Sequence, residues 1–279
     1  MSSLTTHYAH AFVSGASKGL GRAFTEMLLD ENVRVWGTAR DAAALTDLAT
    51  RYPTTFTPVV MDLQAPAAAE AAFTRAANSV GGAFDLLINN AGYGVFGGFD
   101  EAEFELWQKQ LDAMLGTTLR LTHVALRGMR RRNRGCIVNV SSLAAEFPLP
   151  FMSGYNVVKA GLSALSESLI IETRDTDLKV IDFRPGDFRT DFNDAMLTTS
   201  SSAQPAPTAV SAAWRGLEAH RHASPKPMAA ARDLRRALLR RKSGIVRSGS
   251  FFQARFAPTF TAVIPASLRR WITARYFGL

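Results

Sequence analysis

Tyr155 and Lys159 stand four residues apart in a segment of helical patterning, Gly154 to Thr173, which places both side chains on one face within reach of a common ligand. A phenol with a pKa near ~10 is a poor proton donor or acceptor at neutral pH, but an adjacent ammonium stabilises its phenolate. The pair suits a reaction in which charge develops on a substrate oxygen, with Tyr155 moving the proton and Lys159 tuning it. Ser142 follows the apolar strand pattern Cys136 to Val140 and can hold that oxygen. Tyr-x-x-x-Lys alone is common by chance, so its weight rests on its surroundings.

The turn Ser14-Gly15-Ala16-Ser17-Lys18-Gly19-Leu20-Gly21 joins a first strand, Ala11 to Ser14, to an amphipathic helix running to about Asp30. Glycines at 15, 19 and 21 let the backbone approach a pyrophosphate, whose charge is met by amide N–H groups and the helix N-terminus. The spacing differs from G-x-G-x-x-G, so the strand before and the helix after carry the argument. An acid at the end of strand two would bond the ribose 2′-OH of NAD; the run here is Gly37-Thr38-Ala39-Arg40. The Arg40 fork and the Lys18 charge suit a 2′-phosphate, so NADP(H) is the expected cofactor. Hydride transfer from it to a carbonyl would create the alkoxide that Tyr155 and Ser142 are suited to meet. The bland alternative is two solvated surface cations.

Two rival functions need weighing. Gly15-Ala16-Ser17-Lys18-Gly19 also satisfies the G-x-S-x-G elbow of serine hydrolases with Ser17 as nucleophile. It follows the first strand with no half-sheet upstream, His123 falls in a helix pattern, and His220 and His222 fall in a polar loop. The other rival is a non-catalytic or weakly active cofactor-binding regulator on the same fold. Joint retention of Ser142, Tyr155 and Lys159 argues for an enzyme.

Strand and helix patterns alternate from the start, predicting an α/β, doubly wound parallel sheet in a single domain. Strands are expected at 33–38, 56–61, 85–89, 136–140, 179–183 and 244–247, and one long helix at 104–132. The domain is read as 1–249, with a mobile substrate loop at about 193–227 and a basic C-terminal extension at 250–279. Of 279 residues 47% are hydrophobic, enough for one large core. The lone Cys136 excludes an internal disulfide and reads as a small buried hydrophobe. Neither a signal-like start nor an apolar run of ~18 residues is present, so a cytoplasmic location is expected. The net charge of +8 is uneven: from Arg221 onward, 13 Lys and Arg face only Asp233.

Together these motifs resemble the short-chain dehydrogenase/reductase family in its classical form, a Rossmann fold. The resemblance rests on Gly15 to Gly21, Asp62 after strand three, Asn89-Asn90-Ala91-Gly92, Asn139-Val140-Ser141-Ser142, Tyr155 with Lys159, and Pro185-Gly186 through Thr190. It covers about residues 10 to 192, with a weaker echo at 230 to 249. It implies adenine contacts from Asp62 and Leu63, and a cofactor cleft lined by Asn90, Ala91 and Gly92. It also implies that Pro185, Gly186, Phe188 and Thr190 hold the carboxamide end of a nicotinamide. Ser142, thirteen residues before Tyr155, takes the family's serine position, leaving Ser141 structural. The family commonly has an asparagine in its long fourth helix that kinks it and supports a proton relay through the lysine. Met114 stands there, and a thioether donates no hydrogen bond, leaving relay through water or slow turnover as the expectations. Family members often pair through the fourth and fifth helices, which implies a homodimer or homotetramer.

Tyr93, Phe96, Phe147, Leu149, Phe151, Phe188, Phe192 and Met196 are expected around the substrate mouth, favouring a lipophilic carbonyl or alcohol. In the tail, Leu268, Trp271, Ile272 and Tyr276 share a helical face flanked by Arg269, Arg270 and Arg275. Such a helix either packs over the pocket or rests on an anionic membrane. Nucleic-acid binding is not expected, because no aromatic interleaving or reading module accompanies the basic residues.

Overall fold

The computed structural model describes residues 3–198, 208–250 and 264–279. Its first half runs β1 (His10–Val13), α1 (Gly19–Asp30), β2 (Arg34–Ala39), α2 (Thr46–Arg51), β3 (Phe56–Val60), α3 (Pro66–Asn78), β4 (Leu86–Asn89) and a two-residue β5 (Val95–Phe96). The second half runs α4 (Phe104–Leu111), α5 (Thr117–Arg132), β6 (Gly135–Val140), α6 (Ser153–Glu172), β7 (Leu178–Pro185), β8 (Leu197–Thr198), α7 (Thr208–Ala223), α8 (Pro227–Arg240), β9 (Gly244–Ser248) and α9 (Ala266–Tyr276).

Seven strands form one parallel sheet in the order β3-β2-β1-β4-β6-β7-β9. The strands read as continuous apolar runs because both faces are covered. Along β1, Ala11 and Val13 face a core layer shared with α1 and α8, while Phe12 faces the layer under α3 and α5. There the Phe12 ring packs against Phe73 and Phe84 with centroids 4.8 and 5.3 Å away. Cys136 is buried within β6, and burial pushes its thiol up to about 12, so it is inert. Because β1 lies between β2 and β4, successive connections leave it toward opposite sides and open a crevice at the strands' carboxyl ends.

Two expectations are corrected. The 104–132 stretch is not one regular helix: a π-helical turn at Asp112–Gly116 separates α4 from α5. The segment expected as a loop at 193–227 contains β8 and the sixteen-residue helix α7, which takes in His220 and His222. Weak amphipathic patterning beside the Ser- and Pro-rich run hid that helix, since packing against the rest of the chain supports what propensity alone does not. Residues 199–207 of the expected loop lie outside the described residues.

The glycine turn after β1 is built from positions that tolerate no side chain. Gly15 and Gly19 have φ of +71° and +58°, in the left-handed region. A Cβ on Gly21 would stand 2.0 Å from the Gly15 carbonyl oxygen and 2.4 Å from Asn90 Nδ2, inside backbone that cannot yield cheaply. Gly21→Ala is therefore expected to cost about 3 kcal/mol or more, read as a lower urea midpoint; an unchanged midpoint would show that the turn is not this tightly packed.

Candidate active site

Hydrogen bonds across three strand ends shape one wall of the crevice. Ser14 Oγ accepts from the backbone N–H groups of Asn90 and Ala91 at 2.9 and 3.0 Å. Asn90 Nδ2 donates back to the carbonyls of Ser14 and Gly15, and Gly15 N–H donates to Thr38 Oγ1 at 3.1 Å. The ends of β1, β2 and β4 are thereby locked around the glycine turn. No side chain caps the N-terminus of α1, whose first amide N–H groups are left to meet a ligand.

The turn opens onto a cavity of about 740 Å³ lined by every residue the sequence nominates for catalysis or cofactor binding. Gly15, Ser17, Lys18, Gly19, Leu20 and Gly21 floor one end; Arg40, Asp62, Leu63, Asn90, Ala91 and Gly92 form its sides. Pro185, Gly186, Phe188 and Thr190 close the middle beside Ser142, Tyr155 and Lys159. These residues fit an extended dinucleotide: bare backbone and an uncapped helix end for a pyrophosphate, and exposed cations at Arg40 and Lys18. Asp41, the acid next to Arg40, does not line the cavity; its Oδ1 accepts the Ala43 N–H at 2.9 Å. No described histidine lines the cavity with Ser17, which removes support from a hydrolase reading.

Lys159 is only 4% exposed, and its Nζ donates to the Val140 carbonyl at 2.7 Å, 5.5 Å from the centroid of the Tyr155 ring. Burial dominates both groups and drives each toward its neutral form. Lys159 is lowered to about 8 by desolvation, against which the Asp182 carboxylate acts. Tyr155, 9% exposed, is raised to about 12 by burial, with the Ser142 hydrogen bond pulling it down and Asp187 pushing it up. The expectation of a lowered Tyr155 is thus corrected: desolvation of the phenolate outweighs the Ser142 hydrogen bond, and Asp187 acts in the same direction as burial. Ser142 Oγ caps the turn at Leu143–Ala145 by accepting from Ala144 N–H at 3.0 Å, which orients the hydroxyl.

Met114 lies within the π turn, 1% exposed, and its sulfur accepts the Tyr93 N–H at 3.4 Å. The thioether therefore supports the cavity wall at Tyr93, which Gln110 also holds by donating to the Tyr93 carbonyl at 3.0 Å. The backbone around Met114 widens into the π turn that separates α4 from α5.

Of the expected mouth residues, Tyr93, Phe147, Leu149, Phe188, Phe192 and Met196 line the cavity. Phe96 and Phe151 do not; their rings pack together behind it, with Phe96 also against Trp214 of α7. Ile272, Thr273, Tyr276 and Phe277 at the C-terminus line the cavity, in line with the expected packing of that helix over the pocket, while the cover supplied by Leu217 of α7 had no counterpart in the sequence reading.

Residues 9–200 match the family model described as short chain dehydrogenase. A 3-ketodihydrosphingosine reductase of Bacteroides thetaiotaomicron is 29% identical over 182 residues, spanning 65% of this chain and 65% of that relative. A "Probable NADP-dependent dehydrogenase" of Haemophilus influenzae is 30% identical over 182 residues, 63% of this chain and 70% of its own length. The crystal structure of a short-chain dehydrogenase from Streptomyces avermitilis superimposes with a TM-score of 0.83 at 27% identity, covering 96% of this chain and 97% of its own. Its motifs, its sheet and the family match together place the chain in the short-chain dehydrogenase/reductase family.

Proposed function

We propose that this protein is an NADP(H)-dependent reductase of lipophilic ketones or aldehydes. The observation that carries the reading is the single cavity running from the glycine turn and Arg40, past Ser142, Tyr155 and Lys159, to an apolar far half. A bound nicotinamide would supply the hydride. Ser142 holds the carbonyl oxygen, and Tyr155 gives it a proton as the alkoxide develops. A phenol raised to about 12 is protonated at neutral pH, the state a donor needs, so the resting site is set for reduction. Lys159, mostly charged below its value of about 8, stabilises the phenolate left behind. Retention of all three groups in one cavity favours an enzyme over a regulator. The relatives named as a ketone reductase and an NADP-dependent dehydrogenase support the carbonyl substrate and the cofactor.

The far half is lined by aromatic, methionine and aliphatic side chains, as sites that bury most of a ligand are. Exposed Leu119 on α5 and Val157 and Ile171 on α6 support pairing of two copies through these helices. No helix among the described residues is long and apolar enough to cross a membrane. Peripheral contact is a separate matter, favoured by α9. The chain packs just beyond the last turn of this helix: Phe277 is buried, and its backbone stands 3.0 Å from where a Cβ on Gly216 of α7 would be. Its outer face shows Trp271 at 59% and Leu268 at 43% exposure among Arg269, Arg270 and Arg275. Apolar side chains among arginines, with no acid in the helix, match an anionic lipid surface.

Three measurements test these assignments. Tyr155→Phe should lose about 10²–10⁴ in kcat for NADPH oxidation by long-chain aldehydes and ketones, while fluorescence titration shows NADPH still bound; undiminished turnover removes Tyr155 from the chemistry. Arg40→Ala should weaken NADPH about ten- to a hundredfold and NADH little, as loss of a charged hydrogen bond to phosphate dictates; equal losses would contradict the phosphate contact. The protein should sediment with anionic vesicles at low salt, less so as Trp271→Ala, and release near about 0.5 M salt; failure to sediment at low salt ends the membrane reading.

A further inference from the structure

Asp182 of β7 is fully buried, in a strand whose neighbours Val180, Ile181 and Phe183 are apolar. A carboxylate there is costly unless its oxygens are fully met. They are. One oxygen accepts from Ser141 Oγ, and the other from Ser163 Oγ at 2.6 Å and Arg184 Nε at 2.8 Å. Arg184 donates onward to Glu146 at 2.5 Å, and Arg247 of β9 reaches the same Glu146 oxygen at 2.9 Å.

The partners of Asp182 neighbour the candidate catalytic groups. Ser141 directly precedes Ser142, and its predecessor Val140 holds the Lys159 ammonium through its carbonyl. Ser163 lies one helical turn beyond Lys159, which lies one turn beyond Tyr155, so all three share a face of α6. The buried carboxylate thus ties together β6, β7 and α6 immediately behind the site, close enough for its charge to act on the buried Lys159 ammonium.

We propose that Asp182 is a positioning residue that holds Ser142, Tyr155 and Lys159 in register and supplies the negative charge that keeps the Lys159 ammonium protonated. The second half of this role rests on the reductase reading only in its consequence for turnover; the charge effect belongs to the free protein. The groups that face Lys159 and its partner are accounted for by element. Tyr155 faces it from α6 and Asp182 from β7, with Arg184 and then Glu146, Glu167 and Arg247 set behind Asp182. Asp187, in the turn after β7, acts on Tyr155. Desolvation favours neutral Lys159, and Asp182 is the carboxylate that opposes it.

The test reads Lys159 directly, without cofactor or substrate. Protein carrying ¹³Cε-lysine is titrated by NMR, with the Lys159 resonance identified by its loss in Lys159→Met. The expected wild-type midpoint is about 8, and Asp182→Asn should lower it by about one unit, a tenfold change in the protonation equilibrium. Should Asp182→Asn not fold, Asp182→Asn with Arg184→Met leaves no unpaired guanidinium against the amide, and the midpoint should again fall, by less because a positive charge goes with the negative one. A folded variant that melts earlier but titrates at the wild-type midpoint would reduce Asp182 to a structural residue and overturn the proposal. In the second readout, NADPH oxidation by decanal should fall as pH rises through the Lys159 midpoint, because the ammonium is lost there. That limb should move to lower pH in Asp182→Asn by the same amount as the NMR midpoint. An NMR shift in a protein that reduces no carbonyl upholds the charge role and defeats the reductase reading alone.

Discussion

The parallel register of the sheet is the constraint from which the site follows. All strands of the main sheet point their carboxyl ends to one edge, and the order β3-β2-β1-β4-β6-β7-β9 reverses direction beside β1. Connections from β1 and β4 therefore diverge, and only short polar side chains bridge the gap that remains. Ser14, Asn90 and Thr38 do so here, tying the glycine turn to its neighbours through backbone groups that would otherwise be unsatisfied. Ser142 and the Tyr155–Lys159 face of α6 reach the same edge because β6 ends there.

Burial sets the electrostatics of that edge. The same low-polarity surroundings hold a phenol protonated and make an ammonium reluctant to stay charged. In such surroundings each compensating group counts for more than it would in water. The Val140 carbonyl, the Ser142 hydroxyl and the buried Asp182 carboxylate are those groups, and each comes from a different position along the chain. The network behind the site is thus continuous with the sheet that builds it.

The far half of the cavity follows other rules. Met114 contributes a thioether that packs and accepts one backbone hydrogen bond, within the π turn that interrupts the long helix. The cover comes from α7 and α9, and a hydrogen bond from Tyr276 to Asp187 at 3.3 Å joins the C-terminal helix to the turn after β7. The far half of the cavity is therefore closed by the part of the chain that departs most from the regular β–α alternation.

Short-range chemistry by itself determined much of this protein. Glycine spacing, alternating apolar runs and the Tyr155–Lys159 interval made the sheet, the glycine turn and the paired phenol and ammonium legible, because each depends on residues within a few positions of one another. Tertiary structure alone decided the rest. Whether Tyr155 is raised or lowered depends on burial against the Ser142 hydrogen bond, and burial is a property of the packed molecule. Asp182 looked like any residue in a strand until β7 met β6 and α6, and helix α7 gained its support from the segments it covers. Long-range contacts have no local pattern to announce them, so the electrostatic balance and the cavity's outer wall emerged only in three dimensions.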